Sequence, residues 1–334
     1  MKKLVVAVCG VLAVSLAFPT VAAAESPKAK KTTLKLGTLA PRSSSWMAVF
    51  VRAAAEIKKA TDGQVVFKIY PGGRQGDEKV MVGKMRTGQL DAAAVTAVGL
   101  GEILPEVLVL QAPRVLKSYK QLDKVRGQLQ PEWDKKMLDK GFILMGWGDV
   151  GSVDWHSKHS IATPDDIKKG KVWIWNADPV ARATAKALNI TGVPASVPDV
   201  LAGLNSGNMD TMFASPLACL QLAWCDHMKA RTDRVWSFGI GALLLSKKGL
   251  EKVPEPYRAT VQEIWAKWTK ALVKKIRVDN DKARKILAAK KGVAPVSVSD
   301  TAAWDKLAKS VQNELVKKKI FTSELLGRVK SLAK

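Results

Sequence analysis

Between Thr33 and Thr96 the chain alternates short apolar strands with helices, and glycine or proline marks nearly every switch. The run Thr33-Leu34-Lys35-Leu36-Gly37-Thr38-Leu39 alternates with period two and reads as a strand. Residues 46–60 read as a helix with a serine at its cap, and Thr61-Asp62-Gly63 reads as a turn. Residues 64–70 read as a second strand, ended by Pro71-Gly72-Gly73. A helix over about 78–86 and a short strand over 92–96 follow. Strands and helices that alternate predict an α/β layer fold rather than segregated elements.

The same device returns later. Thr87-Gly88-Gln89-Leu90-Asp91 and Ser206-Gly207-Asn208-Met209-Asp210 lie 119 residues apart. Each places a C-cap glycine, one apolar anchor and an Asp ahead of a short strand. Two lobes built alike are the expectation. In open α/β sheets, ligands sit beyond the carboxyl ends of strands, which points to 96–99 and 213–216 as cleft edges. Further on, 239–246 reads as a buried strand. Pro254-Glu255-Pro256 opens a long helix, with Tyr257, Val261, Ile264, Trp268 and Leu272 on one face, running to about Lys291. Gly292 stops it, and a C-terminal helix begins near Asp300.

The N-terminus carries an export signal. Lys2 and Lys3 precede an apolar run, and Ala22, Ala23 and Ala24 form an Ala-x-Ala-like cleavage site. Cys9 follows Val8, where a lipoprotein signal wants a small residue, so no lipid anchor is expected. No later stretch reaches the ~18 apolar residues of a membrane span. The expectation is a periplasmic, soluble protein after removal of 1–24. Its net charge of +24 falls to +22 when Lys2 and Lys3 leave. From Lys247 onward 22 basic residues face 9 acidic ones, which reads as a solvated helical face or as attraction to an acidic partner or membrane surface. Nucleic acid is not an expected partner, because no binding motif accompanies the lysines.

Cys219 and Cys225 remain after cleavage. The segment from Pro216 reads as a continuous helix, along which six positions rise about 9 Å, beyond disulfide reach. Two buried free thiols are therefore expected. His156 and His159 read as surface residues, and His227 is isolated. Neither a nucleophile elbow, a phosphate loop nor a Cys/His metal spacing occurs, so no enzyme, metal or cofactor is expected. A secreted enzyme on a similar scaffold is the rival class.

In order and spacing, several short motifs resemble one family. They are the turn and strand Thr61-Asp62-Gly63-Gln64-Val65, the loop Tyr70-Pro71-Gly72-Gly73-Arg74-Gln75-Gly76-Asp77, and the helix end Arg86-Thr87-Gly88-Gln89-Leu90-Asp91. Thr163-Pro164-Asp165-Asp166-Ile167-Lys168-Lys169-Gly170, Ser206-Gly207-Asn208-Met209-Asp210 and Ser246-Lys247-Lys248 complete the order. The chain resembles the substrate-binding proteins of tripartite ATP-independent periplasmic (TRAP) transporters, of the dicarboxylate-binding type. The resemblance implies a two-lobed, type II periplasmic-binding-protein-like α/β fold with a long helix spanning both lobes. It implies 33–150 with about 237–275 as one lobe, and 151–236 with about 276–334 as the other. It also implies capture of a small ligand in an interlobe cleft and delivery to TRAP membrane subunits, with an accessory periplasmic protein as a further candidate partner. Hinges are expected near 149–151 and 236–239.

The departures from the family bear on the ligand. The family's central strand carries an arginine that forks onto a substrate carboxylate, and that position here is Trp173. A second family arginine falls near Val153, and a family asparagine near Ser215. In Gly170-Lys171-Val172-Trp173-Ile174-Trp175-Asn176 the two indoles share one strand face and the aliphatics the other. A buried carboxylate without a charge partner costs several kcal/mol, and an indole cannot replace a bidentate fork. A hydrophobic or amphipathic ligand is therefore expected, held by Trp173, Trp175 and Phe213. A cation against the indoles is a second option. A small organic acid is the alternative, if Arg42, Arg74 or Arg114 enters the cleft. Ser45, Trp46, Gln75, Thr96, Trp147, Val153 and Ser215 complete the candidate binding residues, and Trp224 is expected in the core.

Overall fold

The structure, a computed structural model, describes Lys31–Lys334 together with Met1. The leader and the expected cleavage site after Ala24 lie outside the described residues. No helix among the described residues is long and apolar enough to cross a membrane.

Strand β1 (Thr32–Thr38) pairs in parallel with β2 (Val65–Tyr70) and β3 (Ala92–Thr96). Helices α1 (Ser45–Ala60) and α2 (Glu78–Arg86) are the crossovers. The Ser44 hydroxyl accepts from the Met47 amide and the Asp77 carboxylate from the Glu78 amide, so each helix starts on its own cap. A short helix α3 (Ala97–Gly101), a 3-10 turn (Pro105–Gln111) and α4 (Tyr119–Asp139) lead to β4 (Phe142–Ser157).

The chain then passes through α5 (Pro164–Ile167), β5 (Trp173–Trp175), α6 (Pro179–Leu188), β6 (Val193–Ala195), α7 (Val200–Asn205), β7 (Thr211–Ala214) and α8 (Pro216–Gln221). Next come β8 (Ala230–Thr232), β9 (Ser237–Ser246), α9 (Lys247–Glu251) and α10 (Arg258–Lys290). The last elements are β10 (Ala294–Val296), α11 (Thr301–Lys317) and α12 (Ser323–Leu332). α11 packs on α6, and α12 returns to α4 and the Pro105–Gln111 turn.

One sheet runs in the order β10-β8-β4-β9-β3-β1-β2, with β7 also on β4. β4 joins its two halves. Its 16 residues extend about 50 Å at ~3.3 Å per residue. Phe142 through Val153 pair antiparallel with β9, and Asp154 through Ser157 pair with β7. The β4–β9 ladder shifts register twice, between Leu144 and Gly146 and between Asp149 and Gly151.

α10 lies along both halves. Its 33 residues rise about 50 Å at 1.5 Å each, matching β4. It touches α1, β4, α8 and β10. Val261, Ile264, Trp265, Leu272, Ile276, Ala283 and Leu287 form its buried face, with Trp265 edge-on to Phe67 at 5.2 Å and to Phe50 at 6.2 Å. Trp268, on the predicted apolar stripe, is only partly buried and donates its N–H to Glu56 at 2.7 Å.

Two glycines admit α10 to the strand. Gly146 has φ +153°, and a Cβ there would meet Thr269 Oγ1 at 2.0 Å. Gly151 has φ +119°, and a Cβ would meet Asn280 Cγ at 2.7 Å. A side chain at either place meets both an unfavourable backbone and a packed helix. Gly146→Ala is expected to cost about 2–4 kcal/mol, read as a lower denaturant midpoint with unchanged slope. A surface control, Gly327→Ala, has open space around its Cβ position and should not lower the midpoint.

Candidate functional site

Between the two halves of the sheet lies a cavity of about 190 Å³. Its walls come from the ends of β1 and β3, from α1, from the middle of β4 and β9, and from β5, α6, β7 and α8. Aromatic surface dominates one side: Trp173, Trp175, Phe213 and Trp224 all line it, and Trp46 and Phe50 face it from α1. Trp173 and Trp175 stack with 20° between planes and centroids 6.3 Å apart, while Trp224 meets Trp173 edge-on at 5.2 Å.

Three indole N–H groups are already used. Trp46 Nε1 donates to the Asp149 carbonyl at 3.0 Å, Trp173 Nε1 to the Ala195 carbonyl at 3.2 Å and Trp175 Nε1 to Asp77 Oδ2 at 2.7 Å. These rings therefore offer a ligand their apolar π surfaces rather than donors.

Of the residues expected at the site, Trp173, Trp175, Phe213, Ser215, Trp46, Thr96 and Val153 line the cavity. The structure does not bring Ser45, Gln75 or Trp147 to its wall. Ser45 donates to Asp279 at 2.6 Å and accepts from Gln221 at 3.1 Å, tying α1 to α10 and to the end of α8. Gln75 accepts from Lys84 at 3.0 Å. Trp147 is buried against Trp133, donates to Gln130 and lies beneath the Arg126 guanidinium. Nor does any of the three arginines considered for the cleft arrive there. Arg42 and Arg74 are exposed, and Arg114 pairs with Asp305 at 3.4 Å. In β7 Phe213 faces the cavity, and Met212 points into the core behind it.

Sequence reasoning missed three acids, Glu78, Asp149 and Asp178, which line the cavity while almost fully buried; Asp149 is paired with Arg126 and Arg277, and the other two have no ion-pair partner among the described residues. Glu78 accepts from the Thr96 amide at 2.8 Å, the Thr96 hydroxyl at 2.8 Å and the Gly99 amide at 2.7 Å. Burial outweighs these donors and pushes its carboxyl up to about 8. Asp178 caps α6 through the Val180 amide at 2.8 Å, and burial pushes it up to about 6. The Asp178-Pro179 pair is a helix-start signal that placed an acid at the end of β5. Nothing in the local sequence marks Glu78 as buried, because its neighbours Asp77 and Lys79 are polar. Trp224, expected in the core, packs there and also reaches the cavity wall.

The cysteine expectation is overturned. α8 ends at Gln221, Ala223 takes a left-handed φ of 59°, and a 3-10 turn (Trp224–His227) doubles back. That break brings the Cα atoms of Cys219 and Cys225 to 5.1 Å, and the two are disulfide-bonded. The expected straight helix would have kept them apart. His156 is likewise not a surface residue. It is fully buried beside the disulfide, its Nε2 3.2 Å from the Ala214 carbonyl, and burial holds its imidazole neutral with a pKa near 3. A chain starting at Glu25, which lacks Cys9, should therefore show no titratable thiol when unfolded without reductant and two when unfolded and reduced.

These features define a two-lobed α/β protein with a partly open interlobe cavity. The sequence profile of the bacterial extracellular solute-binding proteins, family 7 (DctP), matches residues 36–319, and the chain belongs to that family. It is thus a binding protein and not an enzyme. A solute-binding protein of Albidiferax ferrireducens is 24% identical over 253 residues, 74% of this chain and 73% of that protein. Among solved structures, a TRAP periplasmic solute-binding protein from Ralstonia eutropha with bound (S)-2-acetolactate superposes with a TM-score of 0.83 at 19% identity, covering 90% of this chain and 98% of that one. A sugar acid binding protein from Advenella mimigardefordensis in complex with galactonate gives 0.82 at 20% identity, covering 91% and 98%. Both share the fold.

The Glu78 environment has a measurable consequence. Native Glu78 holds its proton to about pH 8, whereas an unfolded glutamate releases it near 4.5. Its contribution thus favours the folded state at low pH and is lost as pH rises from about 4.5 to 8. In ligand-free protein, chemical denaturation should show this fall, and Glu78→Gln should flatten it.

Proposed function

We propose that this chain is the solute receptor of a TRAP-type secondary transporter and that its ligand is a small amphipathic molecule with a largely apolar body. One observation carries the reading. The chain has 54 lysines and arginines, yet among the described residues none lines the cavity. The solved relatives above hold acids. An acid in this cavity would lose its hydration against indoles, next to two carboxyls, without a guanidinium to receive it. An apolar body gains about 25 cal/mol per Å² removed from water. By size, a cavity near 150 Å³ holds a benzene ring, so a ligand somewhat larger than one aromatic ring fits.

Membrane subunits driven by an ion gradient are the proposed recipients. The Trp175–Asp77 bond joins β5 to the cap of α2 across the cavity. Domain closure about β4 and β9 near 149–151 and 236–239 would make and break it. Ligand should therefore compact the protein in small-angle scattering and raise its melting temperature.

Native mass spectrometry of the purified protein, with extraction of what co-purifies, tests the ligand class. The expected result is a bound compound with an apolar body, lost in Trp173→Ala while the fold is kept. Removing one stacked indole should weaken binding by about 10- to 100-fold, a loss of about 1.4–2.8 kcal/mol. A tightly bound sugar acid that survives Trp173→Ala would overturn the reading.

A further inference from the structure

Among the described residues five carboxyls are buried: Glu78, Asp91, Asp149, Asp154 and Asp178. Three have a basic partner. Asp91 meets Lys252 at 2.5 Å. Asp149 meets Arg126 at 2.8 Å and Arg277 at 2.7 Å. Asp154 meets Arg284 at 2.8 Å and Arg231 at 3.5 Å. Glu78 and Asp178 form no ion pair among the described residues and accept hydrogen bonds only from neutral groups. Both line the cavity.

Of the three buried acids on the cavity wall, Asp149 is thus paired with two arginines, whereas Glu78 and Asp178 have no ion-pair partner among the described residues, Arg182 acting on Asp178 only at longer range. A buried acid without a partner is costly to ionise, and it is relieved when a positive charge arrives. The same space is walled by indole faces whose N–H groups are turned away into protein bonds. Such faces attract cations through their quadrupole, indole most strongly among the aromatic side chains.

We infer that the polar end of the ligand is a protonated nitrogen, and that the receptor takes organic ammonium ions with an apolar body. The inference rests on the reading of this cavity as the solute site. Asp178, at the end of the strand that carries Trp173 and Trp175, supplies charge beside the stacked rings. Glu78, protonated in the empty cavity, is a neutral acceptor on the other wall that ionises only if the arriving cation offsets its burial, and Trp224 closes edge-on behind Trp173. The ligand then completes the pairing that lysine and arginine complete elsewhere in the molecule.

The test uses three probes of one shape: phenethylammonium, 2-phenylethanol and 3-phenylpropanoate. Calorimetry is run on the purified chain after co-purified ligand has been removed by unfolding and refolding. Phenethylammonium is expected to bind at least tenfold more tightly than the alcohol, and the acid weakest of all. Asp178→Asn keeps a good helix cap while removing the charge. It should erase most of the preference for the ammonium ion and leave alcohol binding within about twofold. Glu78→Gln gives an independent second variant, and thermal unfolding verifies that each is folded. Equal binding of alcohol and ammonium would overturn the cation inference while leaving the apolar-cavity reading standing. Tightest binding of the acid, or binding of none of the three, would overturn both.

Discussion

Everything in this molecule hangs on the contact between α10 and β4. Both are about 50 Å long, and both run through the two halves of the sheet. Gly146 and Gly151 let the helix approach at the two places where the β4–β9 ladder shifts register. Between and beside them, polar groups fix the seat. Asn280 donates to Ser152 Oγ at 3.0 Å and accepts from the Leu217 amide at 3.0 Å, so one side chain ties α10 to β4 and to the start of α8. Arg277 bridges Asp149 and Asp123, and Arg284 grips Asp154. These are buried or half-buried pairs, in which losing one partner strands the other's charge. The helix therefore behaves as a splint at the crossing. The ladder beneath it is irregular at Leu144/Gly146 and at Asp149/Gly151.

The cavity is positioned by that splint. Asp149, held on one side by Arg126 and Arg277, lends its carbonyl to Trp46 on the other. The Asn280 contact seats α8, whose first turn and the 3-10 turn after it supply Ser215, Ala218 and Trp224 to the wall. The Cys219–Cys225 bond holds that 3-10 turn against α8, which fixes Trp224 behind Trp173. A disulfide across so short a loop does little for the unfolded state's entropy compared with a long one. Its consequence here is local, setting the edge-on contact that backs the stacked pair.

The alternating strands and helices of the first 60 or so described residues were legible because each obeys a local rule of period, cap or turn. The long helix was legible for the same reason, and the Trp173–Trp175 face followed from the two-residue strand period. What escaped was set by tertiary structure. Cys219 and Cys225 are joined through a left-handed Ala223 that no propensity marks, since alanine is a good helix former. Gln75 and Ser45 sit in segments near the cavity but spend their polar atoms on Lys84, Asp279 and Gln221. Glu78 looks like an ordinary first-turn helix acid, and only the approach of Thr96 and Gly99 over it makes it a buried wall residue. His156 reads as polar in the sequence and is buried because β4 is paired on both edges there, with β7 and β8, and the ring lies against Cys219.

The chain is strongly basic, but no basic side chain among the described residues reaches its cavity wall. The protein carries +24 overall, while the ionisable groups on the cavity wall are all acidic. At physiological salt, exposed charges are screened over about 8 Å, so the basic exterior has little influence on the field inside the cavity. Beside the buried wall the dielectric is lower than in water, and the nearest groups are decisive. These are Glu78, Asp178 and the indole faces, since Asp149 is already neutralised by two arginines. Discrimination among ligands in this cavity is thus a short-range matter. The lysines of the C-terminal helices do not line the cavity and so lie outside that decision.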